Sequence, residues 1–308
     1  MSWIWIVGGV VTLLLLLEAK RGRHDGQLVR RPHPYRRLMM YVMPSRNESI
    51  VYFESKVRAE ALEAWLPAAR EAWGAGPTHA IVAALAVSLS KNPKMNRFVS
   101  GRRMYRRNDR VLTFSMKRTK LDATSQLAMV RYTVQPGETF GGFCKAIDAK
   151  VHRNRSGETT STDKEYAFFD VVPRFLLRPG QYVIRILDYY NILPRMFIDG
   201  DGMYCSCFIA NLGSLGMDAP THHLYEWGNC PLFLGVGATR EEPIVEDGAV
   251  GVGRVMTLRW SYDERIADGL TARAGIDDMV AVLEDPARWL GDPTASGDGA
   301  SLESAPSP

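Results

Sequence analysis

The chain has 308 residues, 46% of them hydrophobic and 23% charged. That length can bury a sizeable core, and that composition excludes an intrinsically disordered chain. The net charge of +4 is mild and no nucleic-acid partner is expected; most of the excess sits in one place, at Lys20, Arg21, Arg23, Arg30, Arg31, Arg36 and Arg37.

From Trp3 to Leu17, WIWIVGGVVTLLLLL carries no charge. As a helix it extends about 22 Å, short of the roughly 30 Å hydrocarbon core of a bilayer. Flanking Met1 and Ser2, interfacial Trp3 and Trp5, and a snorkelling Lys20 make up the difference. A cleaved signal peptide fits poorly, since no positive stretch precedes the run and no A-x-A-like site follows it. Residues 1–19 are therefore expected to be a single-pass transmembrane anchor. All the nearby Lys and Arg follow the span, which places the main domain on the cytoplasmic side by the positive-inside rule. Residues 20–37, with Pro32 and Pro34, are expected to be a basic linker lying against anionic headgroups.

Residues 38–290 carry the signals of one α/β domain. SIVYFESKV predicts a strand, and RAEALEAWLPAAREAW an amphipathic helix, with Ala61, Leu62, Trp65, Leu66 and Ala69 at helical spacing and Pro67 expected to kink it. HAIVAALAVSLSKN predicts a more buried helix closed by Pro93. Residues 98–134 alternate as strands do, with a turn at Asn108-Asp109, and TFGGFCKAIDAKVHRNR predicts a helix. A further helical region spans Phe168 to Leu193, with Pro173 and Pro179 expected to break it. Strand signals dominate from Met203 onward, in MYCSCFIANLG, PLFLGVG and VMTLRW, and Ala274 to Leu283 predicts a last helix. The tail, residues 291–308, is rich in Gly, Ser, Ala and Pro and is expected to be disordered.

Cys144, Cys205, Cys207 and Cys230 show no C-x-x-C pair and no metal-ligand spacing. Buried free thiols are expected, with Cys205 and Cys207 on one face of a strand and no metal site. A zinc site built from His222, His223 and Cys230 would have too few ligands. Asn47 and Asn154 begin N-x-S triplets, which a cytoplasmic placement makes irrelevant as glycosylation sites.

Four pieces occur in a recognisable order: CFIANLGSLG, PLFLGVGATREEPIVEDGAV, MTLRWSYDERIADG and LEDPARWL. Together they resemble the acyltransferase core of 2-oxoacid dehydrogenase complexes, and more distantly chloramphenicol acetyltransferase. SIVYFESKVRAEALEAW and LSKNPKMNRFV resemble earlier parts of that core. The resemblance implies a chloramphenicol acetyltransferase-like two-layer sandwich of mixed sheet and helices, here with one N-terminal transmembrane helix added. It also implies a homotrimer with active sites in channels between subunits. The lipoyl and subunit-binding domains that precede the core in those complexes are replaced by the anchor and linker, so an ordinary second component of a dehydrogenase complex is not expected.

In that family the stretch here written YDERIADG carries D-H-R-x-x-D-G, whose His takes the proton from a thiol attacking a thioester. Glu264 stands at the His position, while Asp263, Arg265, Asp268 and Gly269 keep the pattern. A carboxylate of pKa about 4.3 is a poor base for a thiol of about 8.5. The family's Ser or Thr before N-L-G, which donates to the developing oxyanion, is replaced by Ala210, with Ser206 and Ser214 four residues to either side. The resemblance thus implies a degenerate site at Glu264 and Asp268, with Ala210 at the lost hydroxyl position and Asp268 among the charges that brace the turn. The expected function is a membrane-bound scaffold, or a binder of an acyl thioester or protein partner. The alternative is an active acyltransferase using coenzyme A or acyl-CoA, with Glu264 or a channel histidine, His222 or His223, as base.

Overall fold

The computed structural model of the chain describes residues 2–117, 127–156, 167 and 170–303. A six-stranded sheet forms the centre, built from β2 (Ile50–Arg58), β5 (Arg110–Lys117), β6 (Leu127–Val134), β7 (Cys207–Asn211), β8 (Leu232–Glu246) and β9 (Ala249–Asp263) in the order β2-β9-β8-β7-β5-β6. The sheet is mixed: β7 runs parallel to both β5 and β8, and the remaining pairs are antiparallel.

Helices cover one face of this sheet. These are α3 (Glu60–Trp73), α4 (Pro77–Lys91), α5 (Phe140–Arg155) and α8 (Gly269–Glu284), whose apolar side chains share one core with Cys207, Ile209, Leu232, Leu234, Leu258 and Trp260. The apolar run of α4 is buried from Ala80 to Leu89, as its all-round hydrophobicity requires. It meets α8 at Gly275, whose carbonyl accepts from the Ser88 hydroxyl at 2.6 Å and whose added Cβ would lie 3.4 Å from Ser88 Oγ. The α3 helix runs through Pro67 and closes on Gly74 in the left-handed conformation (φ 73°). The short α9 (Pro286–Leu290) follows α8.

Most strands and helices fall where the sequence places them, but four segments differ from expectation. Residues 20–37 are not a free linker. They contain β1 (Gly26–Leu28), which pairs with β4 (Arg103–Arg107) in a three-stranded sheet completed by β3 (Arg97–Ser100), and the start of α2 (Pro34–Val42). Arg23 is buried there between Asp25 and Asp188, at 2.9 and 3.0 Å. Pro179 does not end its helix: α6 (Arg174–Tyr189) continues through it, with Pro173 at its N-cap. It is followed by α7 (Arg195–Gly200); the expected helical signal at residues 168 and 169 lies outside the described residues. The tail packs on the domain over residues 291–303, and residues 304–308 lie outside the described residues. Leu302 is buried, and the Trp65 and Trp73 indoles donate to the carbonyls of Gly291 and Gly297. Finally, Cys205 precedes β7 and lies in a different cluster from Cys207, so the two thiols do not share a strand face.

The N-terminal run forms α1 (Ser2–Ala19), with its apolar side chains largely exposed. Among the described residues no single helix is long and apolar enough to cross a membrane on its own.

Candidate functional site

Strand β9 ends at Asp263, and a four-residue turn leads to Asp268, the N-cap of α8. Asp263 organises the turn. Its carboxylate, only 1% exposed, accepts from the Ser49 hydroxyl at 2.9 Å, the Arg265 backbone N–H at 3.1 Å, and Arg265 Nε and Nη2 at 2.8 and 2.7 Å. Arg265 spends its remaining reach on the Met43 carbonyl. Two further arginines clamp the surroundings: Arg36 donates to the carbonyls of Glu264 and Ala267, and Arg46 to those of Tyr225 and Gly228. The Glu264 backbone N–H donates to the Ser49 carbonyl.

The Glu264 side chain is half-buried, and its carboxylate has no hydrogen-bond or ion-pair partner among the described residues. Asp268 is exposed and does not brace the turn by burial, as expected of it; that role belongs to Asp263. Asp268 instead caps α8, accepting from the Thr271 backbone N–H and hydroxyl at 2.9 and 2.8 Å, and these bonds hold its carboxyl below the ordinary value. Arg36 and Ser49 escaped the sequence reading because each reaches the turn from far away in the chain, and Arg46 because its partners are the distant carbonyls of Tyr225 and Gly228.

Ala210 lies on β7 opposite Gly235 of β8, which in turn lies opposite Arg259 of β9. Glu264 is therefore displaced by two strand spacings and five residues, roughly 19 Å within one chain. The fold does not bring the two positions together. Ala210 packs at the edge of an apolar cluster that includes Phe208, Leu224, Cys230 and Phe233. The loop 218–225 covers this face so closely that a Cβ on Gly235 would lie 2.4 Å from the Pro220 carbonyl oxygen.

Neighbouring hydroxyls and imidazoles are committed elsewhere. Ser206 is buried and accepts from the Val111 N–H, and Ser214 donates to the Asn211 carbonyl. His222 stacks on Phe233, with ring centroids 4.2 Å apart, and its Nδ1 donates to the His223 carbonyl. His223 stacks on His222 in turn. Behind the turn a cleft of about 340 Å³ is lined by Arg46, Arg102, Arg185, Arg265, Asp188 and Trp227, but Glu264 does not face it. All four cysteines are buried; the Cys205 and Cys230 sulfurs lie 3.2 Å apart. Among the described residues no group of three or more His, Cys, Asp or Glu is placed to hold a metal ion.

The fold is that of dihydrolipoamide acyltransferase cores. A probable dihydrolipoamide acetyltransferase from Listeria monocytogenes superimposes with a TM-score of 0.56 at 14% identity, over 89% of this chain and 98% of that one. The dihydrolipoamide acetyltransferase of Azotobacter vinelandii, in whose mechanism a serine, a histidine and an asparagine were investigated, gives 0.55 at 16% identity, over 82% and 90%.

In sequence, residues 202–291 match the catalytic-domain model of the 2-oxoacid dehydrogenases acyltransferase family. The succinyltransferase component of the 2-oxoglutarate dehydrogenase complex from Cupriavidus necator is 49% identical over 58 residues, covering 19% of this chain and 14% of that protein. The acetyltransferase component of the pyruvate dehydrogenase complex from Bacillus subtilis is 36% identical over 83 residues, or 26% and 18%. The matches thus span less than a fifth of either relative.

Proposed function

We propose that this protein is a membrane-anchored, trimeric, acyltransferase-like scaffold that does not perform the thiol acyl transfer of the family its C-terminal portion resembles. The observation that carries this reading is the paired replacement. Glu264 stands where a base of near-neutral pKa is needed, and Ala210 offers a methyl group, packed against the Phe208 and Phe233 cluster, where a hydroxyl is needed. Loss of a general base costs about 10²- to 10⁴-fold in rate, and loss of an oxyanion donor about 10²- to 10³-fold. The two losses do not simply multiply, but either one disables the chemistry.

An acyl thioester, including acyl-CoA, or a protein partner is the class of ligand such a scaffold would hold without turnover. The roughly 19 Å between the two positions within one chain supports a trimer, because they could meet only across a boundary between copies. The exposed apolar α1, flanked by Trp3, Trp5 and Lys20, supports the anchor.

The test is acyl transfer from acetyl-CoA to dihydrolipoamide by the full chain purified in mild detergent. No transfer above the buffer rate is expected, and Glu264→Ala should change nothing. Robust transfer that Glu264→Ala abolishes would overturn the reading and make Glu264 a working base. Sedimentation as a stable monomer would remove the trimer, and full release from membranes by a high-salt wash would remove the anchor.

A further inference from the structure

Helix α6 has no fully buried residue, although its sequence, RFLLRPGQYVIRILDY, is strongly amphipathic. One side is docked. Ile184 and Leu187 pack against Leu193, Ile198 and Tyr204, and Asp188 pairs with Arg23. At 100° per residue, Phe175, Leu176, Tyr182, Val183 and Ile186 fall on an adjoining arc, and all five are exposed, from 50% to 74%. Arg174, Arg178 and Arg185 lie together along the border of this arc, and none has an ion-pair partner among the described residues. An apolar stripe edged by arginine is the pattern of a helix lying in a membrane interface.

The position of α6 fits that role. Asn191, just past its C-terminus, donates through Nδ2 to the carbonyl of Lys20, which follows the last residue of α1. Arg103 donates to the same carbonyl at 2.8 Å. Tyr41 of α2 lies under the Arg102 guanidinium at 5.1 Å, and α2 exposes Tyr35, Leu38 and Val42 as well. The end of α1 is thus bonded to the residue just past α6, so the C-terminal end of α6 lies beside the end of the apolar α1.

We infer that the exposed face of α6 inserts into the headgroup layer of an anionic lipid bilayer. This inference rests on the reading that α1 enters the membrane. The apolar stripe supplies burial, and Arg174, Arg178 and Arg185 supply attraction to lipid phosphate and carboxylate groups. A protein interface would bury the stripe equally well, but three arginines along its edge, without an ion-pair partner among the described residues, fit an anionic surface better than a second copy bearing the same three.

The experiment uses the full chain carrying Val183→Cys, labelled with a nitroxide; position 183 is exposed and the native cysteines are buried. The protein is reconstituted into vesicles of phosphatidylcholine alone or mixed with phosphatidylserine. In the mixed vesicles the label should become accessible to oxygen and shielded from an aqueous nickel chelate. Each of Arg174→Gln, Arg178→Gln and Arg185→Gln should lower the ratio of inserted to exposed label about fivefold, the factor for about 1 kcal/mol per basic residue. Protein that floats with the vesicles while the label stays open to the chelate overturns the inference and leaves the anchor standing. Protein that does not float overturns the anchor reading itself. A label shielded from both reagents, together with dissociation of the oligomer by Ile186→Asp, assigns the face to a second copy and overturns the inference.

Discussion

Replacing Asp263 by alanine removes the acceptor around which the turn after β9 is built. Its carboxylate takes four donors, three of them from Arg265, and both side chains are almost wholly sequestered, at 1% and 4% exposure. Asp263→Ala leaves the Arg265 guanidinium buried with only the Met43 carbonyl to satisfy it. Breaking a buried ion pair from one side costs about 3–5 kcal/mol. Against a typical domain stability of about 5–15 kcal/mol, that is roughly a fifth of the total or more. At about 2–4 °C per kcal/mol for a domain of this size, the melting temperature should fall by roughly 10 °C. Asp263→Ala/Arg265→Leu removes the stranded charge as well and should recover most of the loss. The assay is thermal and urea unfolding of the detergent-solubilised protein, followed by circular dichroism. A cost below about 1 kcal/mol for Asp263→Ala, or a double variant no better than the single one, would refute the assignment of Asp263 as the organising residue.

Glu264→Ala, one residue away, should leave stability within about 0.5 kcal/mol, because the side chain has no partner to lose among the described residues. Asp268→Ala should cost about 1 kcal/mol through loss of the α8 cap. Because its bonds to Thr271 hold the Asp268 carboxyl below the ordinary value, that contribution is present at neutral pH and fades as pH falls through the acidic range, which a series of unfolding curves would record. Burial alone would raise the Asp25 carboxyl, but Arg23 and Arg107 beside it bring it below the ordinary value. The Arg23–Asp25 pair should therefore stabilise at neutral pH and fail on acidification, with hydrogen exchange at residues 23–28 accelerating before that of the central sheet. The four cysteines should react with a thiol reagent only on unfolding, since all are buried.

The local pattern in the sequence located most of the fold. Strand signals in SIVYFESKV, MYCSCFIANLG and VMTLRW marked β2, β7 and part of β9, and a long apolar run marked α4 as a core helix. It missed the segments whose structure depends on distant partners. Arg23 belongs to the domain because Asp188 waits 165 residues further on, and nothing near Arg23 announces this. The tail looked disordered by composition, yet two indole N–H groups on α3 use its carbonyls. The same limit applied at the site. Glu264 and Ala210 stood out in the sequence, but the division of labour between Asp263 and Asp268 did not. One carboxylate is enclosed by Ser49 and Arg265 and the other stands in solvent at a helix end, a difference that depends on what packs above the turn.

The attachment of residues 20–28 to the domain has a mechanical consequence. An unstructured segment the length of residues 20–37 would wander by about 23 Å and let the domain tumble at the end of a leash. Here Lys20 is bonded to Arg103 and Asn191, Arg23 is locked into two carboxylates, and β1 is stitched to β4. The joint is a bracket with almost no slack. A tilt imposed on α1 is carried through Arg103 and Arg23 into the small sheet and the base of α6, so the domain keeps one bearing relative to its N-terminal helix.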